Sequence, residues 1–172
     1  MPSSLGHYLT INVLNMLKYF VSVTCVLVTI LMSCKKNEPT SPEVTDSFAL
    51  LQQKILTPSC ALAGCHNSTS DRTYSQHKLV LTGADVHAQL FNGAVTNTQA
   101  IAAGLKQIAP NDTAKSFLFQ KLIFNQSRHK YGSAMPLGAD LLTTKQIEFV
   151  RQWILAGAPK TGDVADHGLL GH

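Results

Sequence analysis

Cys60 and Cys65 are separated by four residues in CALAGCH, with His66 directly behind the second thiol. Two thiols at that spacing can close a disulfide in an oxidising compartment. They are also soft metal donors, and the imidazole beside them is a metal ligand in its own right. A structural zinc site needs four such ligands. Beyond the N-terminal segment described below, the remaining histidines, His77, His87, His129, His167 and His172, are scattered along the chain and read as surface or loop residues, which disfavours zinc. Another soft donor, the thioether of Met135, sits in YGSAMPLGADLL. It is the only methionine once the N-terminal segment described below is set aside. Core methionines serve as gap fillers, whereas Met135 lies between glycines and next to Pro136, in a loop that holds its sulfur out of helical geometry.

The adjacent Cys65 and His66 suit one further chemistry. The attachment pattern for c-type haem is C-x-x-C-H: two thiols add across the porphyrin vinyl groups and the histidine that follows lies under the iron. Here the thiols are separated by four residues instead of two. Ala61, Ala63 and Gly64 are small enough for the extra pair to bulge outward. Because Cys65 and His66 remain consecutive, the aim of the imidazole is unaffected. A soft, uncharged sulfur on the opposite side would stabilise ferrous iron relative to ferric and raise the potential.

Helices are the elements that must position these groups. Ser47 to Leu56 places Phe48, Leu51, Ile55 and Leu50 on one helical stripe, and Asp46 stands at the N-cap position. This predicts a helix leading straight into Pro58 and the cysteine pair. LVLTG, beginning at Leu79, is expected to be a short extended piece or a turn, and residues 84–91 a helix. Asp112 is placed to cap a helix over residues 113–124. Leu141 to Gly157 carries the best helix signal: Thr143 and Gln146 form a capping box, Leu142 and Ile147 a hydrophobic staple, and Ile147, Val150 and Ile154 the apolar stripe. Gly157 supplies the C-cap and Pro159 prevents continuation. No alternating strand pattern of any length is present, and residues 92–110 give no clear element. The expected fold class is mostly α, with long loops between helices.

Composition bounds the rest. The chain has 172 residues, 14 Lys and Arg against 10 Asp and Glu, and 45% hydrophobic residues. That is enough for one domain, too apolar for a disordered chain and too weakly basic for a nucleic-acid partner. Tyr19 to Ser33 is an apolar run of 15 residues with Lys18 before it and Cys34 after it. It falls short of the roughly 20 residues that span a bilayer and fits a secretory signal. Leu31-Met32-Ser33-Cys34 resembles the bacterial lipobox, which implies that residues 1–33 are removed and that Cys34 becomes an acylated N-terminus. Residues 34–46, with two prolines and no aromatic, read as a flexible tether. MLKYF from Met16 is the more usual beginning for such a signal, so translation is expected to start there. The 139 residues from Cys34 onward carry 13 basic and 10 acidic side chains. A domain over 47–160 and a disordered Gly-rich tail over 161–172 complete the expected organisation.

The order of a helix, CALAGCH, SFLFQKL and MPLGADLLTTKQIEFVRQWILAGAP resembles the cytochrome c family. It is most similar to the single-haem domains of exported bacterial proteins that use C-x4-C-H and end in MP-x-G followed by a helix with a WI-x-x-GA ending. The resemblance covers about residues 47–159, with two specific anchors. It implies a small cytochrome c-like helical domain around one covalently attached haem c. Cys60 and Cys65 would be the thioether sites, His66 the proximal and Met135 the distal iron ligand. Trp153 and Ile154 match the family's C-terminal helix, which packs across the first one. The implied function is electron transfer with redox partner proteins rather than catalysis, at the bacterial cell envelope, by a protein held to a membrane through its N-terminal lipid. Three alternatives stay open: a haem-free lipoprotein binding or adhesion module with a Cys60–Cys65 disulfide, a haem enzyme with an open sixth position, and His129 in place of Met135 as sixth ligand.

Overall fold

The computed structural model describes residues 46–123 and 130–171. The expected signal segment, the expected lipidation site Cys34, almost all of the expected tether, His129 and His172 lie outside the described residues. The described residues form helices joined by long loops, with no strand. One isolated parallel bridge pairs Lys106 with Ser116. No helix among them is long and apolar enough to cross a membrane.

The first helical segment, α1, covers Ser47–Leu51 and runs without a break into a π-helical turn, Gln52–Leu56, and then into α2, Thr57–Ser59. The Thr57 amide bonds to the Gln52 carbonyl, five residues back. Pro58, which has no N–H to continue the α-helical ladder, follows immediately. Asp46 occupies the N-cap position, but its side chain caps no helix amide and instead accepts from Gly162 N at 2.6 Å. The next elements are α3 (Tyr74–His77), α4 (Val86–Asn92) and α5 (Thr98–Ala102). The α5 helix lies in the stretch for which the sequence gives no clear element. Its start is fixed by Asn97, whose side-chain oxygen accepts from Ala100 N at 2.9 Å.

The helix expected from residue 113 begins later, as α6 over Phe117–Leu122, with Ser116 at its N-cap. Residues 113–116 are taken up by a turn, because Asp112 Oδ1 accepts from Lys115 N at 3.0 Å and the Phe117 amide pairs with the Lys106 carbonyl at 2.7 Å. The last helix, α7, covers Thr144–Leu155 and has both bonds of the Thr143/Gln146 capping box. Gly157 follows at φ +95°, a conformation that glycine adopts without a side-chain clash.

Packing follows the apolar stripes. Phe48, Leu51, Ile55 and Leu56 meet Phe149, Val150, Trp153 and Ile154 in one core, completed by Leu79, Leu81, Val86, Leu90, Ile108 and Phe119. The rings of Phe48 and Trp153 stack at 5.6 Å, so α1 and α7 are in direct contact. Trp153 is fully buried and its Nε1 donates to the Pro159 carbonyl at 2.9 Å, which leaves no unpaired indole N–H in the core.

The expectation of a disordered tail is corrected: residues 161–171 are folded onto the domain. Ser47 N donates to the Gly162 carbonyl at 3.0 Å, and Ser47 Oγ accepts from Val164 N at 2.8 Å and Ala165 N at 3.0 Å. Asp166 N donates to Gln152 Oε1 at 2.9 Å, and a 3-10 turn follows at His167–Leu170. The glycines suggest a loose end, but the buried hydroxyl of Ser47 supplies hydrogen-bond partners that a linear reading of the tail does not reveal. Ser47→Ala removes the acceptor for two amides at a fully buried site. The expected cost is about 1–3 kcal/mol, read as a lower urea midpoint, and an unchanged midpoint would show that the tail does not brace the first helix.

Candidate functional site

A cavity of about 360 Å³ opens between the cysteine loop, α3, α6 and the Met135 loop. Its size falls in the range of clefts that take a cofactor-sized ligand, roughly 300–1,000 Å³. Cys60, Cys65, His66 and Met135 all line it. These four residues are separated by up to 75 positions in the chain, and tertiary folding brings them to one space. Aliphatic and aromatic side chains, among them Ile55, Leu56, Leu81, Leu118 and Val150, form most of the remaining wall. Cys60 and Cys65 are both free thiols.

The π-helical turn and the helical residues after it deliver Ile55, Leu56, Ser59 and Cys60 to the cavity. Beyond Cys60 the chain turns sharply, and Gly64 takes φ +81°. Asp71 then gathers the loop. Its carboxylate accepts from Gly64 N at 3.0 Å, Asn67 N at 2.8 Å and Ser68 N at 2.7 Å. Those amides, Ser68 foremost, hold the Asp71 carboxyl below its ordinary range.

His66 is oriented from two sides. Its Nδ1 lies 3.1 Å from the Leu79 carbonyl, and its own carbonyl accepts from Leu81 N at 2.8 Å. A carbonyl can only accept, so Nδ1 carries the hydrogen and the Nε2 lone pair is left free for a ligand role. Burial, the largest influence, pushes the His66 imidazole below its ordinary pKa and keeps it neutral. Leu79 and Leu81 are buried in the core, which fixes the carbonyl that His66 uses.

Met135 is held from α6. Its amide donates to the Lys121 carbonyl at 3.1 Å, and the Lys121 ammonium donates to the carbonyls of Tyr131, at 3.1 Å, and Ser133. Asn97 Nδ2 also reaches the Tyr131 carbonyl, at 3.3 Å. Lys121 therefore grips the Met135 loop with both its backbone and its side chain. Burial lowers the pKa of its ammonium.

Two of the histidines expected to be surface or loop residues are instead half-buried and helical. His77 lines the cavity with its ring centroid 4.0 Å from that of His66. His87 is half-buried away from it, 4.8 Å from Phe48 and 4.5 Å from Phe91, with Nε2 3.0 Å from the Ala158 carbonyl. Among the described residues, no three His, Cys, Asp or Glu side chains gather closely enough to hold a metal ion by themselves. The sequence reading also missed Asp71, Thr73 and Lys121 as organisers of the site. The available signal was the i, i+4 spacing of Thr73 and His77, which puts both on one helical face.

No protein-family model, curated protein or solved structure matches this chain.

The two thiols differ in environment. Burial, and secondarily Cys65, pushes the Cys60 thiol up to about 11. Since only thiolate is the nucleophile, roughly one Cys60 in a thousand is reactive at pH 8. In the haem-free chain, the rate of Cys60 alkylation by iodoacetamide should rise about tenfold per pH unit between pH 8 and 10. Peptide mass mapping checks this, and a rate that levels off below pH 9 would contradict the burial of the thiol.

Proposed function

We propose that the chain is a cytochrome c-like domain that carries one electron through a single haem held by its own residues. The observation that supports this best is the setting of His66: a neutral imidazole with Nδ1–H given to the Leu79 carbonyl and Nε2 free, in a cavity shared with Cys60, Cys65 and Met135. The pocket suits the group chemically. A haem attached through thioethers needs apolar walls, two thiols and a nitrogen and a sulfur donor for its iron, and residues of these kinds line the cavity.

Haem, when bound, supplies iron that exchanges one electron between its ferrous and ferric forms. The chain does the rest. Cys60 and Cys65 would form the covalent hold, each thiol adding its sulfur and its hydrogen across one vinyl double bond, an addition that needs no oxidant. The hydrogen bond from His66 Nδ1 fixes which nitrogen is presented and makes the imidazole a better donor. The soft sulfur of Met135, on a loop clamped by Lys121, would raise the potential. The leucines and Val150 exclude water and lower the local dielectric. Leu62 and Leu137, both exposed and both at the cavity, offer a redox partner a small apolar contact. Weak, transient docking of that kind suits electron exchange. Acylated Cys34 would hold the domain at a membrane of the bacterial cell envelope, with residues 35–45 as tether.

Protein made in a host with cytochrome c maturation factors should be coloured, with a Soret band, and its denatured mass should include one porphyrin per chain together with the acyl groups of Cys34. His66→Ala should abolish the native spectrum. Met135→Ala should remove the sulfur-to-iron charge-transfer band at the red end and lower the potential while leaving the porphyrin attached. A colourless wild-type product from a competent host would overturn the proposal.

A further inference from the structure

His77 is not needed to complete the ligand set, yet it lies against His66 and bonds to both segments that hold it. Leu79 N donates to His77 Nδ1 at 3.0 Å. Nδ1 is therefore the bare nitrogen, and Nε2 carries the hydrogen, which it donates to the Cys65 carbonyl 3.0 Å away. Thr73 Oγ1 stands 3.1 Å from the same Nε2 and donates to the Gly64 carbonyl at 2.8 Å. The ring of His77 is tilted 47° to that of His66.

These bonds form a closed circuit. His66 Nδ1–H goes to the Leu79 carbonyl, the Leu79 amide to His77, and His77 to the Cys65 carbonyl just before His66. We infer that His77 is a positioning residue, tying the Cys65–His66 backbone to the Leu79 segment so that His66 Nε2 stays aimed into the cavity. The inference deepens the proposed haem site and rests on it for the role of Nε2. The circuit itself belongs to the protein alone.

The test uses full-length protein purified from the maturation host, with ring-nitrogen NMR of His66 as a readout that does not require haem. Wild type should show the His66 hydrogen fixed on Nδ1. His77→Ala should lose that single state and, where haem is attached, shift the haem-methyl signals of the ferric form. His77→Asn keeps an acceptor for Leu79 N, and His77→Gln keeps a donor for the Cys65 carbonyl. Each should restore part of the wild-type signal, and the pair serves if the alanine variant does not fold. If the variants change the unfolding midpoint but leave the His66 nitrogen signals and methyl shifts as in wild type, His77 is merely structural and the inference fails. A colourless wild type would defeat the haem reading, while the ring-nitrogen signals would still decide the part played by His77.

Discussion

A histidine can serve as a ligand only if one ring nitrogen is bare and the ring cannot swing away. In this protein both conditions depend on the bond between His66 Nδ1 and the Leu79 carbonyl. That carbonyl is in place because Leu79 and Leu81 are buried in the core and the Leu81 amide returns to the His66 carbonyl. A hydrophobic anchor thereby becomes an orientation. Packing two leucines fixes a backbone oxygen, and the oxygen fixes a proton on one side of an imidazole.

The part of the cavity wall that carries Met135 follows the same logic with different chemistry. The Met135 loop has no regular structure of its own, and α6 holds it through the backbone and ammonium of Lys121. A half-buried ammonium is costly to desolvate, and donation to backbone carbonyls offsets part of that cost. The loop is also joined to α5 through Asn97, which caps its own helix and bonds to the Tyr131 carbonyl. The site therefore spans a rigid pairing of α1 with α7 on one side and loops tied down by single side chains on the other. On the proposed reading, the ligand from the cysteine loop is fixed chiefly by the core and the ligand from the Met135 loop by polar clamps.

Much of the helical framework was legible because its signals are local. The capping box at Thr143 and Gln146, the buried stripe of Phe48, Leu51 and Ile55, and the stop at Gly157 each depend on residues within a few positions of one another. Reading failed where a distant partner competes for a local group. Asp46 gives its carboxylate to Gly162 rather than to its own helix. Asp112 closes a turn because Phe117 is claimed by Lys106. The Gly-rich end folds because Ser47 accepts two of its amides.

Sequence alone determined which atoms are available: two thiols, an adjoining imidazole, a single thioether beyond Met32, and helices able to bury one face. Their types and spacing along the chain are covalent facts and need no folding to be read. Only the tertiary structure decided that Cys60, Cys65, His66 and Met135 line one cavity, that His66 leaves Nε2 bare, and that His77 and Lys121 hold the two loops. Those outcomes depend on contacts between residues far apart in the chain, where burial and hydrogen bonding, rather than sequence distance, set the geometry.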